Sequence, residues 1–130
     1  MSLVEDVYRV TAEFPRAELF RLSSQMQRAA VSVPANIAEG FTRGYTREYM
    51  HHLAIAHGSV AELATHAEIA RRLRYLSPTS ATQLLTDAEL LSRRVRALRT
   101  SLADVMRDRA VLSPRTTHPS SPIPHPRPRA

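Results

Sequence analysis

The apolar residues of this chain recur at helical spacing over most of its length. Between positions 19 and 40, one series repeats every three or four residues: Leu19, Leu22, Met26, Ala29, Val33, Ile37 and Gly40. Alternating intervals of three and four are typical of a helix that buries one face in a bundle. The pattern predicts a helix over residues 18–41, with Pro34 inside it.

Three further segments show the same kind of pattern. Residues 3–13 predict a first helix that ends before Pro15, because the residue before a proline is pushed out of the helical region. Residues 46–75 predict a third helix, and residues 79–109 predict a fourth one after the Ser77-Pro78 turn. Short connections between long amphipathic helices favour an all-α, antiparallel up-down-up-down four-helix bundle over residues 1–112.

The composition changes at residue 113. Six of the nine prolines lie in the last 18 residues, where Ile123 is the one large aliphatic side chain. Such a segment buries too little apolar surface to offset its ordering entropy. Residues 113–130 are therefore predicted to form a disordered Pro/Arg-rich tail.

The basic charge divides between the body and the tail. Residues 1–112 contain 15 arginines and all 12 acids, which leaves +3, and three arginines without an acid give the tail the other +3. This balance permits contact with nucleic-acid phosphates without requiring it. The absence of cysteine excludes disulfides and thiolate sites. With no secretory signal and no apolar run near the roughly 20 residues of a membrane span, a soluble cytoplasmic protein is expected.

The sequence contains no arrangement typical of an enzyme or a metalloprotein. Glu48-x-x-His51 matches half of the di-iron motif of helical bundles, but no second Glu-x-x-His exists. Glu62 and Glu68 lie 14 or more residues further on, about 20 Å along the same helix. We expect no catalytic residue, no metal and no cofactor. Glu48 with His52, and Glu62 with His66, are interpreted as i,i+4 surface pairs.

Two sets of arginines are candidates for nucleic-acid contact. On the second helix, one polar side carries Arg21, Gln25, Arg28, Ser32, Asn36 and Glu39. On the outer face of the fourth helix lie Arg93, Arg96, Arg99 and Arg107, with Glu89 as the one nearby acid. The set on the second helix is either a solvated face or a polar layer at a subunit interface, or else a patch that binds nucleic acid or a partner protein. The set on the fourth helix is either a solvated face or a phosphate-binding surface. No recognition-helix motif or aromatic platform supports base-specific readout.

The third helix has a second apolar face. Ile55, Ile69 and Leu73 lie opposite its main stripe, interspersed with Ser59, Glu62 and His66. A helix with two apolar faces usually buries the second one in an oligomer. The predicted subunit interface comprises Asn36, Glu39, Ile55, Glu62, Ile69 and Leu73.

Residues 14–76 carry a specific resemblance. The pattern Leu-x-x-Gln-x-x-Arg-Ala-Ala-x-Ser-x-Pro-Ala-Asn-Ile-Ala-Glu-Gly occupies residues 22–40, and Gly-Ser-x-x-Glu-Leu occupies residues 58–63. Both resemble the four-helix-bundle proteins encoded in intervening sequences of bacterial large-subunit (23S) ribosomal RNA genes. The resemblance implies a left-handed bundle and a ring-like homopentamer. That fold is similar to the accessory variability protein of diversity-generating retroelements, a basic pentamer that works with a reverse transcriptase and nucleic acid.

The chain departs from the family pattern at its N-terminus. Family members usually begin with a Trp-containing first half of helix 1, and Met1 lies inside that helix, so the start is misassigned or the helix is shortened. Two functions remain open. The first is a non-enzymatic homo-oligomeric adaptor that binds structured RNA, DNA or a reverse-transcriptase-like protein through arginine surfaces. The second is a structural, protein-interaction oligomer without a nucleic-acid partner.

Overall fold

A computed structural model describes residues 2–44 and 46–112 of the 130-residue chain. This part contains four α-helices, namely α1 (Ser2–Thr11), α2 (Leu22–Arg43), α3 (Thr46–Arg72) and α4 (Pro78–Leu112), and a short 3₁₀ turn at Arg16–Glu18. No strand occurs within the described residues, and the predicted all-α four-helix bundle is confirmed. The predicted tail, residues 113–130, lies outside the described residues.

The helices pack in chain order around a shared core. α1 and α3 each contact both α2 and α4, and short connections make successive helices antiparallel. The largest fully buried side chains come from α1, α2 and α3: Met26, Leu53, Leu63, Val7, Val33 and Val60. Burying one such side chain contributes about 1.5–3 kcal/mol. Apolar periodicity therefore accounts for the core.

The connection between α1 and α2 differs from the prediction. The periodicity predicts helix 2 from residue 18, but α2 begins at Leu22, after the 3₁₀ turn. The Oε1 atom of Glu18 accepts a hydrogen bond from the Leu22 backbone N–H at 3.3 Å, which satisfies one amide at the start of α2. Leu19 is consequently not part of the α2 seam. It lies in the connection and is exposed, beside the exposed Phe20.

Pro34 lies within α2, as predicted, and the helix continues through it. A proline has no N–H, so the Ala30 carbonyl lacks its usual helical donor. The nearby Asn36 side chain does not replace that donor. Its Nδ2 atom donates instead to the Ser32 carbonyl at 2.9 Å, two residues further along the helix.

Two different backbone signals end α2 and α3. Gly44 closes α2 in the left-handed conformation, with φ 77° and its N–H on the Phe41 carbonyl. α3 ends at Arg72 rather than at residue 75, because Arg74 adopts a positive φ of 66°. The Tyr75 N–H bonds the Ala70 carbonyl at 2.9 Å, and the Arg74 N–H bonds the Arg71 carbonyl at 3.0 Å. This is a Schellman closure that begins the turn into α4.

The helices have very different lengths, and this leaves one corner of the bundle open. α1 has 10 residues, about 15 Å, against 22 residues in α2 and 35 in α4, about 33 and 52 Å. Gln27 donates to the Thr11 hydroxyl at 2.9 Å, which fixes α1 beside the first half of α2. Within the described residues, α1 therefore does not extend along the second half of α2 or the middle of α4.

Candidate functional site

The open corner forms an apolar groove between α2 and α4, beyond the N-terminal end of α1. Its volume is about 790 Å³. Most of its wall is apolar and includes Pro34, Ile37, Phe41, Tyr49, Leu90 and Leu91. Phe41 is 71% exposed and Leu90 is 45% exposed, so the groove leaves large apolar side chains in contact with solvent. Asp87 and Arg94 of α4 supply its charged lining.

The outer face of α4 carries one of the two predicted arginine sets. Arg93, Arg96 and Arg107 are all exposed on it. The Arg93 Nε atom lies 3.3 Å from Glu89 Oε2, and this pair is exposed on both sides. Arg96 forms no ion pair with any described residue. We call Arg93, Arg96 and Arg107 the α4 arginine strip.

Two details of this prediction are wrong. Arg99 does not lie on the outer face. It is half-buried, and its Nε–H is enclosed with no acceptor among the described residues. Glu89 is also not the one nearby acid, because Arg107 pairs with Asp104 three residues before it. At about 100° per residue, position 99 turns towards the core side of α4 that also bears Val95. The strip therefore has three members.

The second predicted set, on α2, divides into two parts. Arg21 and Arg28 are exposed and lie seven residues apart, and neither pairs with an acid in the described part of the chain. Glu39 is also exposed and binds Arg43 Nε at 2.9 Å. Ser32 and Asn36, predicted on the same outward side, face α3 instead. The solvent-facing part of this surface is consequently smaller than predicted.

Ser32 and Asn36 belong to a hydrogen-bond network between α2 and α3. The hydroxyls of Ser32 and Ser59 lie 2.7 Å apart. Asn36 Nδ2 donates to Ser32 Oγ at 3.0 Å, and Asn36 Oδ1 lies 3.0 Å from His52 Nδ1. Because an amide oxygen only accepts, His52 Nδ1 is the donor in this pair. Asn36, predicted at a subunit interface, has its polar atoms bonded within the subunit.

The roles of Ser59 and His52 in this network are not predicted from the sequence. Ser59 is buried, and the Gly-Ser pattern that contains it does not reveal its partner. The available signal was the angular position of Ser32 and Asn36, which follow Ala29 by three and seven residues. That spacing places them beside the buried face rather than opposite to it.

The outer face of α3 agrees with the prediction of a second apolar surface. Ile55 is 39% exposed, Ile69 is 42% exposed, and Leu73, in the turn after α3, is 51% exposed. Glu62 lies between the two isoleucines, and its Oε2 atom is 3.7 Å from His66 Nε2, as predicted. We call Ile55, Glu62, Ile69 and Leu73 the α3 outer face. Its use as a subunit interface stays a prediction.

One expected pair on α3 does not form. Glu48 does not pair with His52, since its Oε1 atom lies 3.6 Å from Arg43 Nη1 and His52 is bonded to Asn36.

Between α3 and α4, Ser92 and His57 form a hydrogen bond of 3.0 Å that joins the two helices. Within residues 2–44 and 46–112, no group of three or more His, Cys, Asp or Glu side chains could hold a metal ion.

At the end of α3, one carboxylate organises the neighbouring arginines. Glu68 accepts hydrogen bonds from Arg71 at 3.0 and 2.5 Å and from Arg72 at 2.9 Å. The hydrogen bonds from Arg71, and to a smaller extent the one from Arg72, lower the pKa of Glu68 from 4.5 to about 2. Arg71 and Arg72 lie in the last turn of α3, where their charges also interact favourably with the carbonyl end of the helix dipole.

The Glu68 cluster predicts a pH-dependent contribution to stability. A carboxyl whose pKa is lower in the folded state stabilises that state above pH 4.5, and this contribution is lost as the pH falls to about 2. Glu68→Gln should therefore lower the Tm near neutral pH, and its difference from wild type should shrink over that interval. Thermal unfolding followed by circular dichroism measures both. Glu13→Gln, which removes an exposed acid, is the control, and a Glu68→Gln difference that stays constant down to pH 2 contradicts the prediction.

None of the helices in the described ranges has both the length and the apolar character that are needed to cross a membrane.

Comparison with known proteins identifies the family. A comparison with curated proteins found no match. The chain matches the family model described as 23S rRNA-intervening sequence protein over residues 1–97. The matched range includes α1, α2, α3, their hydrogen-bond network and the first half of α4, and it covers well over half of the chain. The resemblance found in the sequence is confirmed, and the chain belongs to the 23S rRNA-intervening sequence protein family.

Proposed function

We propose that the protein is a non-enzymatic, homo-oligomeric helical-bundle adaptor of the cytoplasm that binds structured RNA through the α4 arginine strip. One observation carries the proposal. Residues 93–103 contain four arginines and no acid, and Arg93 and Arg96 among them are exposed on the outer face of α4. The name of the family, which refers to a 23S rRNA intervening sequence, supports RNA as the nucleic acid.

The charge arrangement of the strip suits phosphate binding. Arg96 has no acidic partner in the described residues, so it is available to a phosphate. Arg93 would exchange its exposed bond to Glu89 for a phosphate, and an exposed pair of this kind contributes only about 0–1 kcal/mol. Without an aromatic platform, the recognition is electrostatic and independent of base sequence.

Self-association would repeat the strip on each subunit. The α3 outer face supports self-association, because exposed Ile55 and Ile69 share one side of the helix with Glu62 between them. We propose that this face joins subunits into the ring-like pentamer that the family resemblance implies. A ring of strips would bind one RNA at several points, which raises the overall affinity without new contacts. A reverse-transcriptase-like protein is the other partner that such a ring would serve.

Charge reversal of the strip tests the RNA proposal. In the Arg93→Glu/Arg96→Glu variant, affinity for a labelled RNA stem–loop should fall by at least about 100-fold at low salt, since two attractive contacts become repulsive. In the wild type, the logarithm of the affinity should decrease linearly with the logarithm of the salt concentration, and the slope should be smaller by about 2 in the variant. Fluorescence anisotropy over a salt series measures both quantities.

A matched variant separates the strip from net charge. Arg9→Glu/Arg16→Glu changes the net charge by the same amount on the exposed surface of α1 and the turn that follows it. This control should keep most of the RNA affinity. Equal affinity losses in the two double variants, or no loss in the Arg93/Arg96 variant, would overturn the proposed site.

The exposed apolar residues of the α3 outer face favour one second function. A purely structural oligomer would need that face and no nucleic-acid partner. Two measurements on the natively purified protein distinguish the two functions. The native mass reports the oligomeric state, and the ratio of absorbance at nucleic-acid and protein wavelengths reports bound nucleic acid. An intact oligomer that carries no nucleic acid on native purification and does not retain the RNA stem–loop supports the structural function.

A further inference from the structure

We propose that a cleft between α1 and α2 binds one unpaired nucleotide of an RNA strand, with the base on the Tyr8 ring and a phosphate on Arg28. We call this site the α1–α2 cleft. It shares no residue with the groove between α2 and α4 or with the α4 arginine strip. The inference rests on RNA as the ligand, which the proposed function supplies, but not on the strip as its binding surface.

The first observation is the lining of the cleft, which has a volume of about 350 Å³. One residue of α1 and five of α2 form it: Tyr8, Ser24, Gln27, Arg28, Val31 and Ser32. Tyr8 is 48% exposed and Val31 is 42% exposed, so apolar surface faces solvent beside polar side chains. Arg28 is exposed at the same place, and no acidic side chain is part of the lining. The cleft therefore suits a ligand that is partly apolar and negatively charged.

The position of Tyr8 against α2 is fixed by its neighbours. Val7 is fully buried in the core. The Thr11 hydroxyl donates to the Val7 carbonyl at 2.7 Å and accepts a hydrogen bond from Gln27 Nε2 at 2.9 Å. These contacts hold the part of α1 that carries Tyr8 beside the part of α2 that carries Arg28. A site whose walls are already ordered loses little conformational entropy when a ligand binds.

The chemistry of the lining matches a nucleobase, which has apolar faces and polar edges. Aromatic side chains such as Tyr8 bind unpaired bases by stacking on one face, and stacking accepts every base. Gln27 bonds Thr11 through its Nε2 atom, which leaves its Oε1 atom to accept a hydrogen bond from a base edge. The Ser24 hydroxyl can donate or accept one. A small anion alone would use Arg28 and leave the ring without a role.

The charges beside the cleft favour a nucleotide within a strand over a free one. Arg28 and Arg21 are exposed and form no ion pair in the described residues. They lie seven residues apart, about 10 Å along α2. Residues 19–38 contain these two arginines and no acid. A strand with its base in the cleft would therefore place one phosphate at Arg28 and a neighbouring phosphate near Arg21.

The α1–α2 cleft distinguishes unpaired from paired RNA. In a duplex, each base is stacked between its neighbours, so its face is not available to Tyr8. α4 has no aromatic residue, and its arginine strip would bind the phosphates of paired and unpaired RNA alike. A stem–loop would thus be recognised through its paired region at the strip and through an unpaired loop nucleotide at the cleft.

Substitutions in the cleft test the proposal with a short, labelled single-stranded RNA that cannot pair with itself. Tyr8→Ala should lower the affinity by about 5-fold or more, the loss expected for one stacked base. Tyr8→Phe keeps the ring and should stay within about 2-fold of wild type. Arg28→Ala should also weaken binding and reduce the slope of log affinity against log salt by about 0.7, since one phosphate contact is lost. Fluorescence anisotropy over a salt series measures these quantities.

Two matched variants and a second RNA serve as controls. Phe41→Ala and Arg47→Ala remove an exposed ring and an exposed arginine that do not line the cleft, and both should keep the single-strand affinity. Tyr8→Ala should bind a blunt-ended RNA duplex as wild type does, because a duplex presents no free base face. Circular dichroism establishes that every variant is folded.

The results separate the cleft from the strip. Wild-type single-strand affinity in Tyr8→Ala would overturn the cleft as a base site, even if Arg28→Ala binds less, since Arg28 would then bind phosphate alone. Equal losses in Tyr8→Ala and Tyr8→Phe, or equal losses for single strand and duplex in Tyr8→Ala, would overturn it too. The strip fails separately, when Arg93→Glu/Arg96→Glu binds the duplex as tightly as wild type does. A Tyr8→Ala loss confined to the single strand supports the cleft in either case.

Discussion

Replacing Gly40 with alanine should lower the free energy of unfolding by about 1–3 kcal/mol, because the added methyl group has no space between α2 and α3. A Cβ atom at this position would lie 2.9 Å from His52 Cβ, 3.0 Å from Tyr49 Cδ1 and 3.3 Å from Tyr49 Cα. A backbone atom cannot rotate away, so the two helices must separate. That movement would also stretch the hydrogen bond between Asn36 and His52.

Gly58→Ala is the matched control for this substitution. Gly58 is exposed within α3, and no atom outside the local backbone lies within 4 Å of the position that an added methyl group would occupy. Alanine should therefore raise the free energy of unfolding by up to about 1 kcal/mol, the difference in helix propensity between the two residues. Urea unfolding at one fixed protein concentration measures both variants. Equal stability of the two variants would show that α2 and α3 are not in close contact at Gly40.

Leu63→Ala should lower the free energy of unfolding by about 2–5 kcal/mol. Leu63 is 1% exposed and lies in the larger core cluster with Met26 and Ala67. Truncation removes its buried methyl groups and leaves a cavity that the surrounding helices fill only in part. For a domain of this size, such a loss is a large fraction of the whole stability of about 5–15 kcal/mol.

Leu73→Ala is the control for the Leu63 substitution. Leu73 is 51% exposed in the turn after α3, so its truncation should change the free energy of unfolding by less than about 0.5 kcal/mol. If the α3 outer face joins subunits, Leu73→Ala should instead lower the mass of the assembly. Denaturant unfolding and sedimentation separate the two effects. Similar losses of stability for Leu63→Ala and Leu73→Ala would contradict the assignment of Leu63 to the core.

The sequence predicted the helices and most of the core because both depend on apolar periodicity. The apolar periodicity of the third helix predicts a buried stripe of seven residues, of which Tyr49 is half-buried and the other six are buried: Leu53, Ala56, Val60, Leu63, Ala67 and Ala70. The error at Leu19 arose because the periodicity continues through the connection, although the chain needs those residues to cross from α1 to α2. The end of α3 depends on the positive φ of Arg74, for which no glycine signals the turn.

The sites were harder to predict because they depend on which way each helix face turns. Ser32 and Asn36 lie only part of a turn from the buried face of α2, and tertiary contact with His52 and Ser59 decides their side. The same uncertainty led to the wrong prediction that Arg99 lies on the outer face of α4. The groove could not be predicted because it depends on how far α1 extends along α2 and α4 in the folded bundle. The register between α1 and α2 that the Thr11–Gln27 bond fixes was not visible in the sequence.

The shortness of α1 also affects how the bundle opens. An isolated helix of 10 residues is below the length that is stable in water, so α1 depends on Val7, Val10 and the adjoining Phe14 for its attachment. Local unfolding should therefore release α1 before the tightly joined pair of α2 and α3. With α1 released, the groove would extend along the full length of α2. The side of α2 that α1 covers would then contact solvent together with the groove.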